Sequence, residues 1–364
     1  KPRREVERKF LPLMPDTLSD MRERARPIEQ FYLSHPSEPF SLRLREELNL
    51  SGKLEYSATL KDRGQLTVGG IDRLEIEVPV SSELYHYYKP DMPLLRKLRA
   101  KPSEAVAVDF YEDGHIQVES EDPLAWNDFC RQYGSGFIDM TGQYNFDNEW
   151  RAHLGHARQN DSREALEPLA DLDPDIIVND VIELYDSSLP IFVKVSGRSG
   201  SGKSTLVRQL QQSLSEFNIK SEVISTDDYH RGASWLQAYN NGSDWVEWDH
   251  PIVYDTAAMA RDLKSLSAGE AVDRRRIDFS VVEPVYEGSI TPVPVIIIEG
   301  IYAGHSDFDS LESLNYAMPT PLATCIGRRL LRDISQRPEF ANPEKSLHYM
   351  LTQAEPTYRK QLLA

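Results

Sequence analysis

The chain predicts two folds in series, an antiparallel β-rich first half and a parallel α/β second half. Three observations carry that reading. Up to about residue 145, apolar and charged residues alternate with period two, interrupted at Asp62-Arg-Gly64, Gly69-Gly70 and Asp113-Gly114. That is the pattern of half-covered strands joined by tight turns. From about residue 187, short apolar runs alternate with stretches at helical spacing, which predicts a parallel sheet flanked by helices. The first of those runs, Ile191-Phe-Val-Lys-Val195, leads into Gly197-Arg-Ser-Gly-Ser-Gly-Lys-Ser204 and then into Leu206, Val207, Leu210 and Leu214. Strand, glycine-rich turn and helix follow in the order a phosphate-binding loop needs.

Composition agrees with two domains. A chain of 364 residues exceeds one ordinary domain, and 40% hydrophobic residues can supply a core to each of two. A net charge of -17 opposes non-specific binding to nucleic acid or acidic membrane, while leaving room for small anions at a local cationic cluster. Cys130 and Cys325 lie far apart without metal-ligand spacing, as expected of reduced thiols in a cytosolic protein. The most apolar run, Pro294-Val-Ile-Ile-Ile298, is of strand length, too short to span a bilayer. The expectation is a cytoplasmic protein with no nucleic-acid or membrane partner, and homo-oligomerisation is left open.

Along the chain, residues 1–147 form the β-rich domain, with helices expected near Pro15–Glu29 and Ser81–Tyr88. Residues 148–186 turn polar, with an acidic stretch from Glu164 to Asp175, and predict a helical linker. Residues 187–364 form the α/β domain.

In a strand, side chains at i and i+2 share a face. The β-rich half repeatedly pairs charges that way: Glu5/Glu7 followed by Lys9, Arg43/Arg45, Arg73 with Glu75/Glu77, Lys97/Arg99, and Glu119/Glu121. Between them stand Val6, Leu42, Leu44, Leu74, Ile76 and Leu98. Any single pair is what a solvated sheet face carries. The whole set, sorted into acid pairs and basic pairs, suits a site that takes hard cations such as Mg²⁺ or Mn²⁺ on carboxylates and phosphate oxygens on Arg and Lys. A closed barrel lined with both would hold a metal–polyphosphate complex.

Glu5-Val-Glu-Arg-Lys9 resembles the opening Glu-x-Glu-x-Lys signature of the CYTH, or triphosphate tunnel metalloenzyme, superfamily. The similarity continues through Ile28–Leu33, Ser41-Leu-Arg-Leu-Arg45, Thr59-Leu-Lys61, Arg73-Leu-Glu-Ile-Glu77, Leu95-Arg-Lys-Leu-Arg99, Val108–Tyr111 and Val118-Glu-Ser-Glu121. The resemblance implies an eight-stranded antiparallel tunnel. It implies metal ligation by Glu5, Glu7, Glu119 and Glu121, with Glu75 and Glu77 close by. Lys9, Arg43, Arg45, Lys61, Lys97 and Arg99 would hold the phosphates, and a metal-activated water would hydrolyse a triphosphate compound.

In the second half, the loop glycines let backbone N–H groups turn toward phosphate oxygens at a helix N-terminus. Gly197, Arg198, Ser199, Gly200, Ser201, Gly202, Lys203, Ser204 and Thr205 are the expected ATP-binding segment, with Lys203 on the β- and γ-phosphates and Ser204 on Mg²⁺. Val223-Ile-Ser-Thr-Asp-Asp-Tyr229 predicts a second strand that delivers Asp227 and Asp228 at its C-terminal end, where ligands bind in such sheets. Asp227 there would accept a hydroxyl proton or serve Mg²⁺ through water, whereas Asp228 better fits a helix cap. Val295-Ile-Ile-Ile-Glu-Gly300 predicts a third strand ending in the carboxylate of Glu299. In Arg328-Arg-Leu-Leu-Arg-Asp-Ile-Ser-Gln-Arg337, Arg329 and Arg332 fall within one helical turn, with Arg337 beyond. They form either a solvated basic helix or a phosphate clamp.

Together these segments resemble the uridine kinase family of P-loop kinases over about residues 188–361, including Trp248-Asp-His-Pro251 with Tyr254-Asp255 and the closing Glu355-Pro-Thr-Tyr-Arg359. The resemblance implies Asp227 as general base and Asp249 on the ribose, with Tyr229 beside the acceptor. Lys203, Arg329, Arg332 and Arg337 would hold the triphosphate, and Ser204 and Glu299 the magnesium. Two departures stand out. Ile277-Asp-Phe-Ser-Val-Val-Glu283 keeps the family's Asp-Phe but lacks the His that touches the pyrimidine, and Pro338-Glu339 replaces Gly-Arg in the arginine-rich segment. The expected protein is a two-module enzyme, a Mg²⁺- and ATP-dependent kinase of a small hydroxyl-bearing substrate such as a nucleoside, joined to a divalent-metal triphosphatase. The alternatives make the tunnel the main phosphohydrolase, or a polyphosphate or nucleotide sensor. The P-loop domain is then regulatory or acts on a non-nucleoside acceptor.

Overall fold

Ten strands make up the first half of the computed structural model: β1 (Arg3–Pro12), β2 (Arg26–Tyr32), β3 (Phe40–Leu48), β4 (Leu54–Asp62), β5 (Gln65–Thr67), β6 (Gly70–Pro79), β7 (Leu94–Ser103), β8 (Val106–Tyr111), β9 (Ile116–Ser120) and β10 (Phe137–Asp139). The structure describes residues 3–49, 51–160, 170–185, 190–336 and 342–362. Strands pair antiparallel in the order β1-β9-β8-β7-β2-β3-β4-β6, and β6 pairs back with β1, so eight strands close a barrel. β5 and β10 are short additions to its rim. The expected eight-stranded tunnel is the observed one.

Alternation sets what each face carries. Leu42, Leu44, Leu60, Leu74 and Ile76 are buried on the outside, while the charged residues between them face inward. Phe10, Val106, Val108, Phe110, Val118 and Phe129 form part of an outer core under the helices Ser19–Arg22 and Pro123–Tyr133. Trp126 stacks on Phe10 there, ring centroids 3.7 Å apart. Only one of the two expected helices has its expected length. Ser82–Tyr88 is helical and is capped by Ser81, which accepts from the Leu84 N–H. The stretch from Pro15 gives a 3-10 turn and one turn of helix ending at Arg22, and β2 begins at Arg26. Residues 26–29 pair with β7, and Ile28 and Glu29 pair with β3 as well, and those ladder bonds override the local helical signal.

The second half contains β11 (Ile191–Ser196), β12 (Ser221–Ser225), β13 (Val272–Asp278), β14 (Glu283–Ile290), β15 (Val295–Gly300) and β16 (Ser313–Ala317). β12, β15, β11 and β16 form a parallel sheet in that order, and β13 and β14 form a separate antiparallel hairpin. The helix Lys203–Glu216 buries Leu206, Val207, Leu210 and Leu214 against the sheet. The helix Thr256–Ser267 packs Ala258, Met259, Leu263 and Leu266 into another cluster with Phe192, Ile296 and Ile298.

By compactness the chain divides into Lys1–Pro168 with Leu322–His348, and Leu169–Pro321 with Tyr349–Ala364. Two expectations change accordingly. The expected helical linker 148–186, helical at Asn148–Asn160 and Pro174–Leu184, is divided between the two units. Helix Asn148–Asn160 buries Asn148, Glu149, Ala152 and His153 in the first unit. Helix Pro174–Leu184 puts Ile177, Val178 and Val181 into the core of the second. The helix Leu322–Gln336, expected with the α/β domain, groups with the barrel and packs on β3 and β4. No helix among the described residues is long and apolar enough to cross a membrane.

Candidate functional site

The phosphate loop is built at the C-terminal end of the buried strand β11. Gly202 has φ of 94° and serves as the N-cap of helix Lys203–Glu216 without any side-chain cap. A glycine takes that conformation cheaply, and the uncapped N–H groups of the first turn remain directed at the loop. Ser201 Oγ is buried without a hydrogen-bond partner among the described residues. The Lys203 ammonium donates to the carbonyls of Gly197 and Arg198, each at 2.9 Å. Ser204 and Thr205 are exposed at the helix start. The Arg198 side chain turns aside: it makes a two-pronged contact with Glu355 at 2.7 and 3.0 Å and lies over the Tyr358 ring. Glu355, buried and also bonded to Arg359 at 2.8 Å, explains the closing segment as a brace for the loop.

The parallel register aligns Ser225 of β12 and Val195 of β11 with Glu299 of β15. Ser225 donates to Glu299 at 2.9 Å and accepts from the Asp227 N–H at 3.2 Å, which ties the two strand ends together. Gly300 must be glycine, because a Cβ there would sit 1.8 Å from the Thr226 hydroxyl. Asp227 keeps an exposed surface. Nevertheless the density of protein around it, then the like charge of Glu299, push its carboxyl up to about 6 against the pull of Lys203. Asp249 and Asp228 add smaller pushes in the same direction. The Asp249 carboxylate accepts from the Tyr349 hydroxyl at 2.6 Å, and Tyr302 holds the Asp249 carbonyl at 2.7 Å.

Tyr229 does not face an acceptor. It is 3% exposed, in the core, with its hydroxyl donating to Asp262 at 2.9 Å. Asp228 pairs with Arg276 of the hairpin and caps no helix. Arg329 and Arg332 lie on helix Leu322–Gln336, both toward Asp333, at 3.9 and 3.5 Å. Arg337 lies outside the described residues, as do Pro338 and Glu339.

The second candidate site is the barrel interior, a cavity of about 230 Å³ lined by nine Arg or Lys and nine Asp or Glu residues. Register explains the mixture, because cross-strand neighbours are acid–base pairs. Glu5 faces Arg73, Lys9 faces Glu119, Lys61 faces Glu75, and Arg99 faces Asp109. Glu5 accepts from Lys61 at 2.7 Å and Arg73 at 2.9 Å, and Arg73 also pairs with Glu7. Lys9 lies 3.6 Å from Glu7, Arg43 3.6 Å from Glu77, and Arg99 2.5 Å from Glu119. Burial raises the Glu5 carboxyl, but Lys61 and Arg73 outweigh it and hold it near 2. Burial, with Arg43 and Arg99 nearby, lowers Arg45 to about 10.

Glu121, at the mouth, reaches Arg3 at 2.9 Å. All the expected lining residues except one face the cavity. Lys97 is sealed against Asp109, does not line the cavity, and is pushed by burial and by Arg99 down to about 7.

Sequence reasoning set Arg73 aside, although its parity with Glu75 and Glu77 placed it inward. It also missed Arg63 and Asp147, which lie outside the strands and carry no periodic signal. The carboxylates are of the right type for a hard cation. Yet no three Asp, Glu, His or Cys among the described residues gather as a metal site; Lys61 and Arg73 share one oxygen of Glu5, and Arg73 also pairs with one oxygen of Glu7. At the phosphate loop, the exposed Ser204 hydroxyl and the Glu299 carboxylate are oxygen donors of the kind Mg²⁺ takes.

A parallel sheet, a glycine loop opening an uncapped helix, and carboxylates at the strand ends define the second half as a P-loop nucleotide-binding kinase fold. The phosphoribulokinase/uridine kinase family model matches residues 192–342. The uridine kinase of Tolumonas auensis is 32% identical over 179 residues, covering 48% of this chain and 79% of that protein. The uridine kinase of Clostridium perfringens is 28% identical over 178 residues, covering 46% and 83%. Among solved structures, an inorganic triphosphatase aligns with 41% of this chain and 93% of its own at 24% identity, TM-score 0.27. The chain belongs to the uridine kinase family.

Proposed function

We propose that the α/β half is an ATP-dependent kinase of a nucleoside-like alcohol, and that the barrel binds and hydrolyses a triphosphate compound. The observation that carries the first part is the convergence of Asp227, Glu299 and Lys203 beside the glycine loop. The acceptor oxygen attacks the γ-phosphorus, its proton passes to the Asp227 carboxylate, and the bond to the ADP oxygen breaks. Asp227, raised toward the working pH, is suited to that transfer. Lys203 and the loop N–H groups hold the β- and γ-phosphates. Mg²⁺ carried in with ATP, held by Ser204 and Glu299, would neutralise phosphate charge. Asp249, held by Tyr349 and Tyr302, would accept hydroxyl hydrogen bonds from the substrate.

For the barrel, the inward cations Lys9, Arg43, Arg45, Lys61, Arg73 and Arg99 support polyphosphate binding. A volume of about 230 Å³ suits a small charged ligand better than a drug-sized one of about 300 Å³ or more. A second reading, in which the barrel binds without hydrolysis and regulates, is favoured by the commitment of Glu5 and Glu7 to Lys61 and Arg73. Chromatographic product analysis with Mg²⁺–ATP and mixed nucleosides, and with tripolyphosphate in parallel, tests both parts. A nucleoside monophosphate lost in Lys203→Ala supports the kinase, and its absence from the wild type overturns it. Tripolyphosphate breakdown lost in Glu5→Ala/Glu7→Ala supports hydrolysis, and no breakdown leaves the regulatory reading.

A further inference from the structure

The last stretch of the second unit, Tyr349–Leu362, reaches both of the subsites assigned to the kinase without leaving that unit. Pro356 has no N–H to continue an α-helical ladder. Before it the chain makes a π-helical turn, Met350–Ala354, between Tyr349 and the helix Glu355–Leu362. Such a turn holds more residues than an α-helical one, so it changes which way the side chains on either side of it face. The two flanking residues accordingly serve different partners.

Tyr349 serves Asp249. Its hydroxyl donates to the Asp249 carboxylate at 2.6 Å and accepts from the Asp249 N–H at 3.0 Å. The Asp249 carbonyl is held from the same stretch by a relay. Gln361 donates to the Tyr302 hydroxyl at 2.5 Å, and Tyr302 donates to that carbonyl at 2.7 Å. Tyr302 is buried and packs on Tyr254, ring centroids 4.7 Å apart, which anchors the relay.

Glu355 serves the phosphate loop. Buried itself, it accepts from the Arg198 guanidinium at 2.7 and 3.0 Å. Tyr358, three residues on and on the same helix face, places its ring centroid 4.6 Å from that guanidinium. The carbonyl of the same Arg198 takes the Lys203 ammonium at 2.9 Å. A planar guanidinium gripped by two oxygens and one ring face has little freedom left, and its backbone is part of the loop.

We propose that Tyr349 and Glu355 are positioning residues of the kinase, Tyr349 aiming Asp249 at the acceptor and Glu355 setting the phosphate loop for ATP. The inference rests on the reading of those two subsites. Loss of the Tyr349 hydroxyl removes two hydrogen bonds that fix the Asp249 side chain against its own backbone. Loss of the Glu355 charge weakens the grip on Arg198. Each residue therefore governs the KM of one substrate and not of the other.

The test measures KM for ATP and for the nucleoside separately, from nucleoside monophosphate formation. Tyr349→Phe should raise the nucleoside KM about tenfold, the scale of a hydrogen bond to a charged group, and leave the ATP KM within about twofold. Glu355→Gln should do the reverse. A helix that only holds the fold together would raise both values in each variant, or lower only the amount of active enzyme, and either pattern overturns the proposal. Arg198→Ala breaks the Glu355 contact from its other end. It should raise the ATP KM as far as Glu355→Gln does, and the double variant should go no further; additive effects overturn the role of Glu355.

Calorimetry with Mg²⁺–ATP needs no turnover. Kd should rise about tenfold in Glu355→Gln and stay at the wild-type value in Tyr349→Phe. Equal affinity in all three proteins, or equal loss in both variants, overturns the role of Glu355. If the wild type forms no nucleoside monophosphate, the kinase reading has failed and the role of Tyr349 falls with it, while calorimetry still decides that of Glu355.

Discussion

The charge state of Asp227 is the most direct point at which to test the kinase site. Its carboxyl is pushed up to about 6 from the ordinary 3.8, first by the protein packed around it and then by Glu299. A base with that pKa is about nine-tenths ionised at pH 7 and about one-tenth ionised at pH 5. Transfer that needs the carboxylate should therefore lose about tenfold in kcat/KM over those two pH units. ATP also titrates in this range, so the informative quantity is a difference between enzymes. Glu299→Gln removes the largest like charge and should move the acid limb to lower pH, leaving the substrate's own titration unchanged. Initial rates of nucleoside phosphorylation from pH 5 to 8, wild type against Glu299→Gln, measure the displacement. Superimposable acid limbs, or a wild-type rate flat down to pH 5, would refute the assignment of Asp227 as the proton acceptor.

Other outcomes follow from the same geometry. Glu5 is ionised in the fold down to about pH 2, whereas in the unfolded chain it protonates near 4.5. It therefore adds stability above pH 4.5 and loses it as the pH falls toward 2. The advantage of wild type over Glu5→Gln should be about 3 kcal/mol at pH 7 and about 1 kcal/mol at pH 3, read from denaturant-dependent exchange of barrel amides. Tyr229→Phe should leave the acceptor KM within about twofold and cost about 1 kcal/mol of stability for its lost hydrogen bond to Asp262. Asp249→Asn should raise the acceptor KM about tenfold or more, from the loss of a charged hydrogen bond. Gly300→Ala, whose Cβ would overlap the Thr226 hydroxyl at 1.8 Å, should abolish nucleoside phosphorylation while tripolyphosphate binding by calorimetry persists.

How much of this was legible depended on whether a signal is local. The glycine loop was, because strand, loop and helix are contiguous, and the backbone angle at Gly202 belongs to the residue itself. The inward charges of the barrel were legible as a face, since a period of two sorts a strand into two sides. Their partners were not. That Glu5 meets Arg73, and that Lys61 meets Glu75, is a property of register between strands distant in sequence. Lys97 shows the gap well: it shares the parity of Arg99, yet Asp109 and burial remove it from the cavity. Tyr229 sits in a strand-end motif that suggested substrate contact, and only core packing turned it toward Asp262.

By itself, then, the sequence determined the element types, the polar lining of the barrel and the glycine loop. All of these follow from local backbone preference and from which side chains a strand puts on one face. Tertiary structure alone decided which acid neutralises which base, how far Asp227 is pushed toward neutrality, and that the helix Leu322–Gln336 is capped by Glu38, nearly three hundred residues earlier in the chain. Those outcomes are set by distance and burial, quantities that exist only once remote segments are brought together.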